Sequence, residues 1–166
     1  MPLAVSNRTP SRAPVQAADY LTRHRDEILE AAHADLTARS PRYAAATEPV
    51  LRDRLNMLYD TLVESLNAAC LLPMLDHANE IAAERFHSGY DLSELQRAYN
   101  SLEEAIWTRL FAEGVPARYQ VVLPCVSAAI GAAKDELARD YVKLAASEHA
   151  ASVDLPALFR GEGAHA

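Results

Sequence analysis

The segment Gly89-Tyr90-Asp91-Leu92-Ser93-Glu94-Leu95, continuing to Trp107 and Leu110, constrains this chain more than any other stretch. Asp91 can accept from the first free N–H groups of a helix, and Glu94 can reach back to close a capping box. Tyr90 and Leu95 occupy the two positions of a hydrophobic staple. Leu92, Leu95, Tyr99, Leu102, Ile106 and Leu110 then recur at steps of three and four, the period of a helix with one buried stripe. Gly89 in front and Gly114 behind supply helix stops. Such a segment specifies a rigid helical scaffold; it names no reaction.

The rest of the chain repeats the pattern. Leu21, Ile28, Ala32 and Leu36, with Leu29 beside them, predict one helix over 15–38. Residues 39–47, containing Ser40-Pro41, read as a connection whose alanines could support another helical turn. Glu48-Pro49 opens a second helix striped by Leu51, Leu55, Leu58, Leu62 and Leu66. Leu71-Leu72-Pro73 breaks into a third over 73–87, with a narrower face of Leu75, Ala78, Ala82 and Phe86. The capped helix is the fourth. Val115-Pro116 leads into a last helical region toward His149, in which Pro124 either starts the main length or kinks it. Val126, Ile130, Leu137, Tyr141 and Leu144 form its inward face. Residues 1–14, with three prolines, read as a flexible leader and 150–166 as a peripheral tail, leaving a helical domain over 15–149. The fold class is all-α, and periodicity leaves open a globin-like packing or a four- or five-helix bundle.

Charge narrows the partners. With 16 basic residues spread among 23 acidic ones and a net charge of −7, no broad phosphate-binding surface is expected, and nucleic acid is disfavoured. Cys70 and Cys125 make no disulfide framework or metal spacing, so a reduced, cytoplasmic chain is expected. The first residues lack the apolar core of a signal peptide, and no apolar run is long enough to insert in a membrane.

The sharpest metal arrangement is a repeated Glu-x-x-His. Glu30 with His33 and Glu84 with His87 each lie one helical turn apart, and Glu64 and Glu104 could add carboxylates, as in di-iron or di-manganese bundles. Against it, Glu30 points away from the Ile28–Ala32–Leu36 face. With 13 glutamates and six histidines, such pairs also arise readily by chance. His77, Glu80, Glu84 and His87 form a polar stripe that could move protons, or simply be the wet face opposite Leu75, Ala78 and Phe86. The two cysteines have no basic neighbours to activate a thiol, so small buried hydrophobes are the better assignment. No nucleophile elbow, phosphate loop or zinc-protease motif occurs. The balance is against an enzyme: no catalytic residue, metal ligand or cofactor is assigned. Phe86, Tyr90, Tyr99 and Trp107 remain as a candidate pocket or interface: they could line an apolar pocket for an unknown small ligand, or close a core with their polar ends at its boundary.

His77-Ala78, Ile81-Ala82, Arg85-Phe86, Gly89-Tyr90, Leu92, Leu95, Ala98-Tyr99, Leu102-Glu103 and Ile106-Trp107 together resemble the N-terminal sensor-like domain of the stressosome co-antagonist proteins, the RsbR group. The resemblance implies a non-haem globin-like helical domain, commonly a homodimer. Its work would be signal input or scaffolding in a regulatory assembly of the stress response, not substrate turnover. The family's ligands are undefined, so Leu95, Tyr99, Leu102, Ile106 and Trp107 carry over only as the patterned helix. No phosphorylatable output domain fits after His149, so a stand-alone module, or one recruiting a separate output protein, is expected.

Overall fold

In the computed structural model, which describes residues 12–152, the chain is an all-α, globin-like helical bundle. Seven α-helices are present among the described residues: α1 (Arg12–Arg23), α2 (Arg25–Arg39), α3 (Pro41–Ala44), α4 (Glu48–Ala68), α5 (Leu72–His87), α6 (Leu92–Ala112) and α7 (Val122–Ser152). A 3-10 turn at Ala117–Tyr119 precedes α7. The most extensive pairings are α5 on α7 and α2 on α6, with α4 bridging α1 and α5. Of the expected leader, residues 1–11 lie outside the described range, and 12–14 already belong to α1. Of the expected tail, 150–152 belong to α7 and the remainder lies outside the described range.

The capped helix forms as the sequence requires. The Glu94 amide donates to Asp91 Oδ1 at 2.8 Å and the Asp91 amide to Glu94 Oε2 at 3.0 Å, closing both arms of the box. Ser93 adds a hydroxyl bond to the same Asp91 oxygen at 2.6 Å, and this bond first, then the Glu94 amide, holds the Asp91 carboxyl below its usual range. Asp91→Ala is expected to cost about 1 kcal/mol in a denaturant titration, and Asp91→Asn much less. Equal losses for the two would mean that the charge, and not the cap, is what matters.

Two expectations change. The single helix over 15–38 is instead two, joined at His24, whose backbone leaves helical geometry at φ −110° and ψ 18°. Tyr59 of α4 donates its hydroxyl to the Leu21 carbonyl at 2.7 Å, and the His24 amide is shared between the Tyr20 carbonyl at 3.2 Å and the Leu21 carbonyl at 3.1 Å. A side chain inserted into the ladder is a recognised cause of a kink. The predicted core residues on both sides of it (Leu21, Ile28, Leu29, Ala32 and Leu36) are nevertheless all buried.

On α5 the buried face is rotated from the expected one. Ala78 and Ala82 are inside, but Leu75 and Phe86 are only half-buried, while Met74, His77 and Arg85 turn inward. One end of this face is fixed by α4, whose buried Ser65 hydroxyl accepts the Met74 amide at 3.2 Å and so caps the first turn of α5 from outside. The other helices keep their predicted stripes, with Leu92, Tyr141 and Leu144 half-buried against the core. Leu51, Leu55, Leu58, Leu62 and Leu66 are all buried, and Pro124 lies in the first turn of α7, where its missing N–H is not needed. The predicted connection carries the short α3, whose Tyr43 is buried.

Candidate functional site

The inward turn of α5 creates a cavity of about 40 Å³ where α2, α3, α4, α5 and α6 meet. Leu36, Leu51, Leu55, Leu58, Ile81, Leu95 and Ala98 give it apolar walls, and Tyr43, Arg54, His77, Arg85 and Tyr99 give it polar ones. That volume is room for a few water molecules or a solute of a few heavy atoms, far below a drug-sized site.

All of the polar walls but the half-buried Arg54 are deeply placed. Tyr99 is 2% exposed, Arg85 6% and His77 8%. Burial pushes the Tyr43 phenol up to about 12 and the Tyr99 phenol further in the same direction, so both keep their protons at neutral pH. The Tyr99 hydroxyl is buried without a hydrogen-bond partner. Arg85 meets one carboxylate, its sequence neighbour Glu84 at 3.2 Å, which is itself exposed, and its guanidinium lies 5.5 Å from the centre of the Tyr90 ring. No Asp or Glu lines the cavity.

His77 stands in the wall between this cavity and an outer groove that also includes Glu64, Asp76 and Glu80. Burial holds its imidazole below the usual value, and Glu80 opposes that more weakly. The unfolded chain therefore takes up the proton first. This contribution to stability is complete above about pH 6.5 and is lost as the pH falls toward the lower folded value. Urea midpoints compared between about pH 7.5 and about pH 5.5 should fall more steeply for the native chain than for His77→Gln. Parallel slopes would show that His77 is not the group responsible.

The four sequence-predicted aromatics separate into three places. Phe86 packs edge-on against Tyr141 of α7, with ring centres 5.1 Å apart, and Tyr141 donates its hydroxyl to the Tyr90 carbonyl at 2.6 Å. Tyr90 is covered by Arg42, 4.1 Å above its ring, and this arginine also donates to the carbonyls of Ser88 and Gly89 at the end of α5. Tyr99 lines the cavity, and Tyr43 lies between it and Tyr90. Trp107 is elsewhere. It is 39% exposed and meets Phe111, 55% exposed, edge-to-face at 6.2 Å. These two form part of an open groove of about 440 Å³ with Asn100, Glu103, Glu104 and Thr108. The acidic residues of the groove have cations nearby: Glu103 lies 3.8 Å from Lys134, and Glu104 receives a bond from Arg39 at 3.3 Å.

The metal candidates do not converge. Glu30 is held by Arg52 at 2.9 Å, which lowers its carboxyl, Glu84 by Arg85 and Glu104 by Arg39, while His87 Nδ1 donates to the Ala83 carbonyl at 2.6 Å. Among the described residues, no three His, Cys, Asp or Glu side chains are grouped to hold an ion. The expected polar stripe also divides: Glu80, Glu84 and His87 face solvent, but His77 does not. Cys70 is exposed, contrary to its assignment as a buried hydrophobe, because it follows the left-handed end of α4 at Ala69. Cys125 is half-buried, with its thiol pushed up by burial.

Arg54, Arg85 and Tyr43 were not legible as site residues from the sequence. An inward arginine has the same local spacing as a surface one. The only available signal was the run Met74, Ala78, Ile81 and Arg85, an alternative face for α5.

Residues 26–154 match the family model described as the RsbT co-antagonist protein rsbRD N-terminal domain. The match begins just after the His24 kink and takes in every residue that lines the cavity and the Trp107–Phe111 groove. No curated protein and no solved structure matches the chain.

Proposed function

Because the chain belongs to the family of RsbT co-antagonist protein rsbRD N-terminal domains, a stress-response signalling family, we propose that it is the sensory or regulatory module of such a switch, acting through protein contacts. It works as a homodimer in the cytoplasm and passes its signal to a separate output protein. Family membership carries this reading. No helix among the described residues is long and apolar enough to cross a membrane.

The exposed Trp107–Phe111 pair supports a particular contact surface. Large aromatics are enriched at the centres of protein interfaces, where each can contribute most of a local binding energy. A two-fold axis over α6 would set this face against its own copy, a self-complementary arrangement typical of homodimers. Glu103 and Glu104 would not repel strongly across it, because Lys134 and Arg39 lie against them. Signal transfer then requires only a small shift of α6 against α2 or α7, the helices on which it packs. Sedimentation velocity over nanomolar to high-micromolar protein should show a monomer–dimer equilibrium. An invariant monomer would overturn the dimeric reading.

A further inference from the structure

We infer that the α5 cavity is a binding site for a small organic anion of the short-chain carboxylate class. The inference deepens the regulatory reading by giving the module an input, and its test is binding, which is independent of the oligomeric state.

Two buried features of the cavity wall call for a hydrogen-bond acceptor. A guanidinium keeps its charge under all ordinary conditions, and a buried one requires a matching anion. Arg85 is 6% exposed, yet the carboxylate it meets is that of Glu84, exposed on the same helix. Arg54, half-buried on α4, brings a second guanidinium to the same cavity. A chain of net charge −7 thus presents two arginines and no carboxylate to one partly open cavity.

The second feature is Tyr99. A phenol that is 2% exposed normally has a partner, and this hydroxyl has none. Tyr43 and Tyr99 both retain their protons and are available to donate, while a carboxylate only accepts. The polar walls therefore complement an acceptor carrying one negative charge.

The remaining walls are leucine, isoleucine and alanine, which suit a short alkyl body and not a hydrated inorganic ion. A cavity of about 40 Å³ limits the ligand to a few heavy atoms. Acetate to butyrate is the size range, and the guanidinium fork is the group that recognises the carboxylate.

The test is titration calorimetry of the full chain with butyrate, with ligand-observed NMR as the second readout. Acetate, sodium chloride, phosphate and butanol serve as comparisons. Butyrate should bind and raise the melting temperature, while butanol, lacking the charge, and the two inorganic anions should not. Tyr99→Phe removes one oxygen and should leave the unliganded chain at least as stable, while weakening butyrate about tenfold. Arg85→Met should abolish binding; if that variant does not fold, Tyr99→Phe still decides. The proposal is overturned by an absence of butyrate binding at millimolar concentration. It is also overturned if Tyr99→Phe binds butyrate as tightly as the native chain. Chloride binding equal to that of butyrate would likewise overturn the carboxylate assignment.

Discussion

Shortening Leu102 to alanine is expected to remove about 2–5 kcal/mol of stability. Leu102 is fully buried on α6, between Tyr99 and Ile106 on the same stripe, where the helix packs against α2 and α7. Its removed carbons lose their transfer free energy, and the space they leave is only partly refilled because interiors are close-packed. A domain of this size has about 5–15 kcal/mol in total, so one truncation consumes a large share. The loss should appear as a lower urea midpoint with an unchanged slope. Leu92, half-buried at the start of the same helix, is the matched control, and its alanine variant should lose far less. Similar losses at both positions would contradict the assignment of the α6 face.

The second large effect concerns association. Replacing both Trp107 and Phe111 by aspartate should weaken the dimer at least about a hundredfold, or about 2.8 kcal/mol, while the helical circular dichroism stays unchanged. Both rings are substantially exposed in the single chain, so their loss opens no core cavity. In a two-fold dimer each substitution acts twice and places four carboxylates in an apolar contact. Met57 and Leu72 are also exposed, on the outer groove of α4 and α5, and provide the internal comparison. Aspartates there should leave association intact. If instead they dissociate the dimer while the α6 variant does not, the interface lies on the α4–α5 face.

What was legible in the sequence was what local spacing dictates. Asp91, Glu94 and the stripe from Leu95 to Leu110 settle α6 within one stretch of chain, and the structure follows them. The His24 kink could not be read because its cause, the Tyr59 hydroxyl on the Leu21 carbonyl, comes from 38 residues away. On α5 the ambiguity is intrinsic: Ala78 and Ala82 lie on both candidate faces, and hydrophobicity favours Leu75 and Phe86. Packing instead selects Met74, His77 and Arg85, at the cost of burying a charge. That same choice places Tyr99 on a cavity while Trp107, next to Ile106 and about 100° further round the helix, is left facing out. The four aromatics share a sequence neighbourhood, but helix geometry divides them among an α5–α7 contact, a cavity and an exposed groove.

The central claim, that this signalling module works through the Trp107–Phe111 face of α6, is tested most directly by hydrogen–deuterium exchange at protein concentrations above and below the dimer dissociation constant. Peptides covering residues 100–111 should gain protection with concentration, and those covering Met57 and Leu72 should not. Protection that is independent of concentration across α6, or that rises only on the α4–α5 face, would contradict the claim.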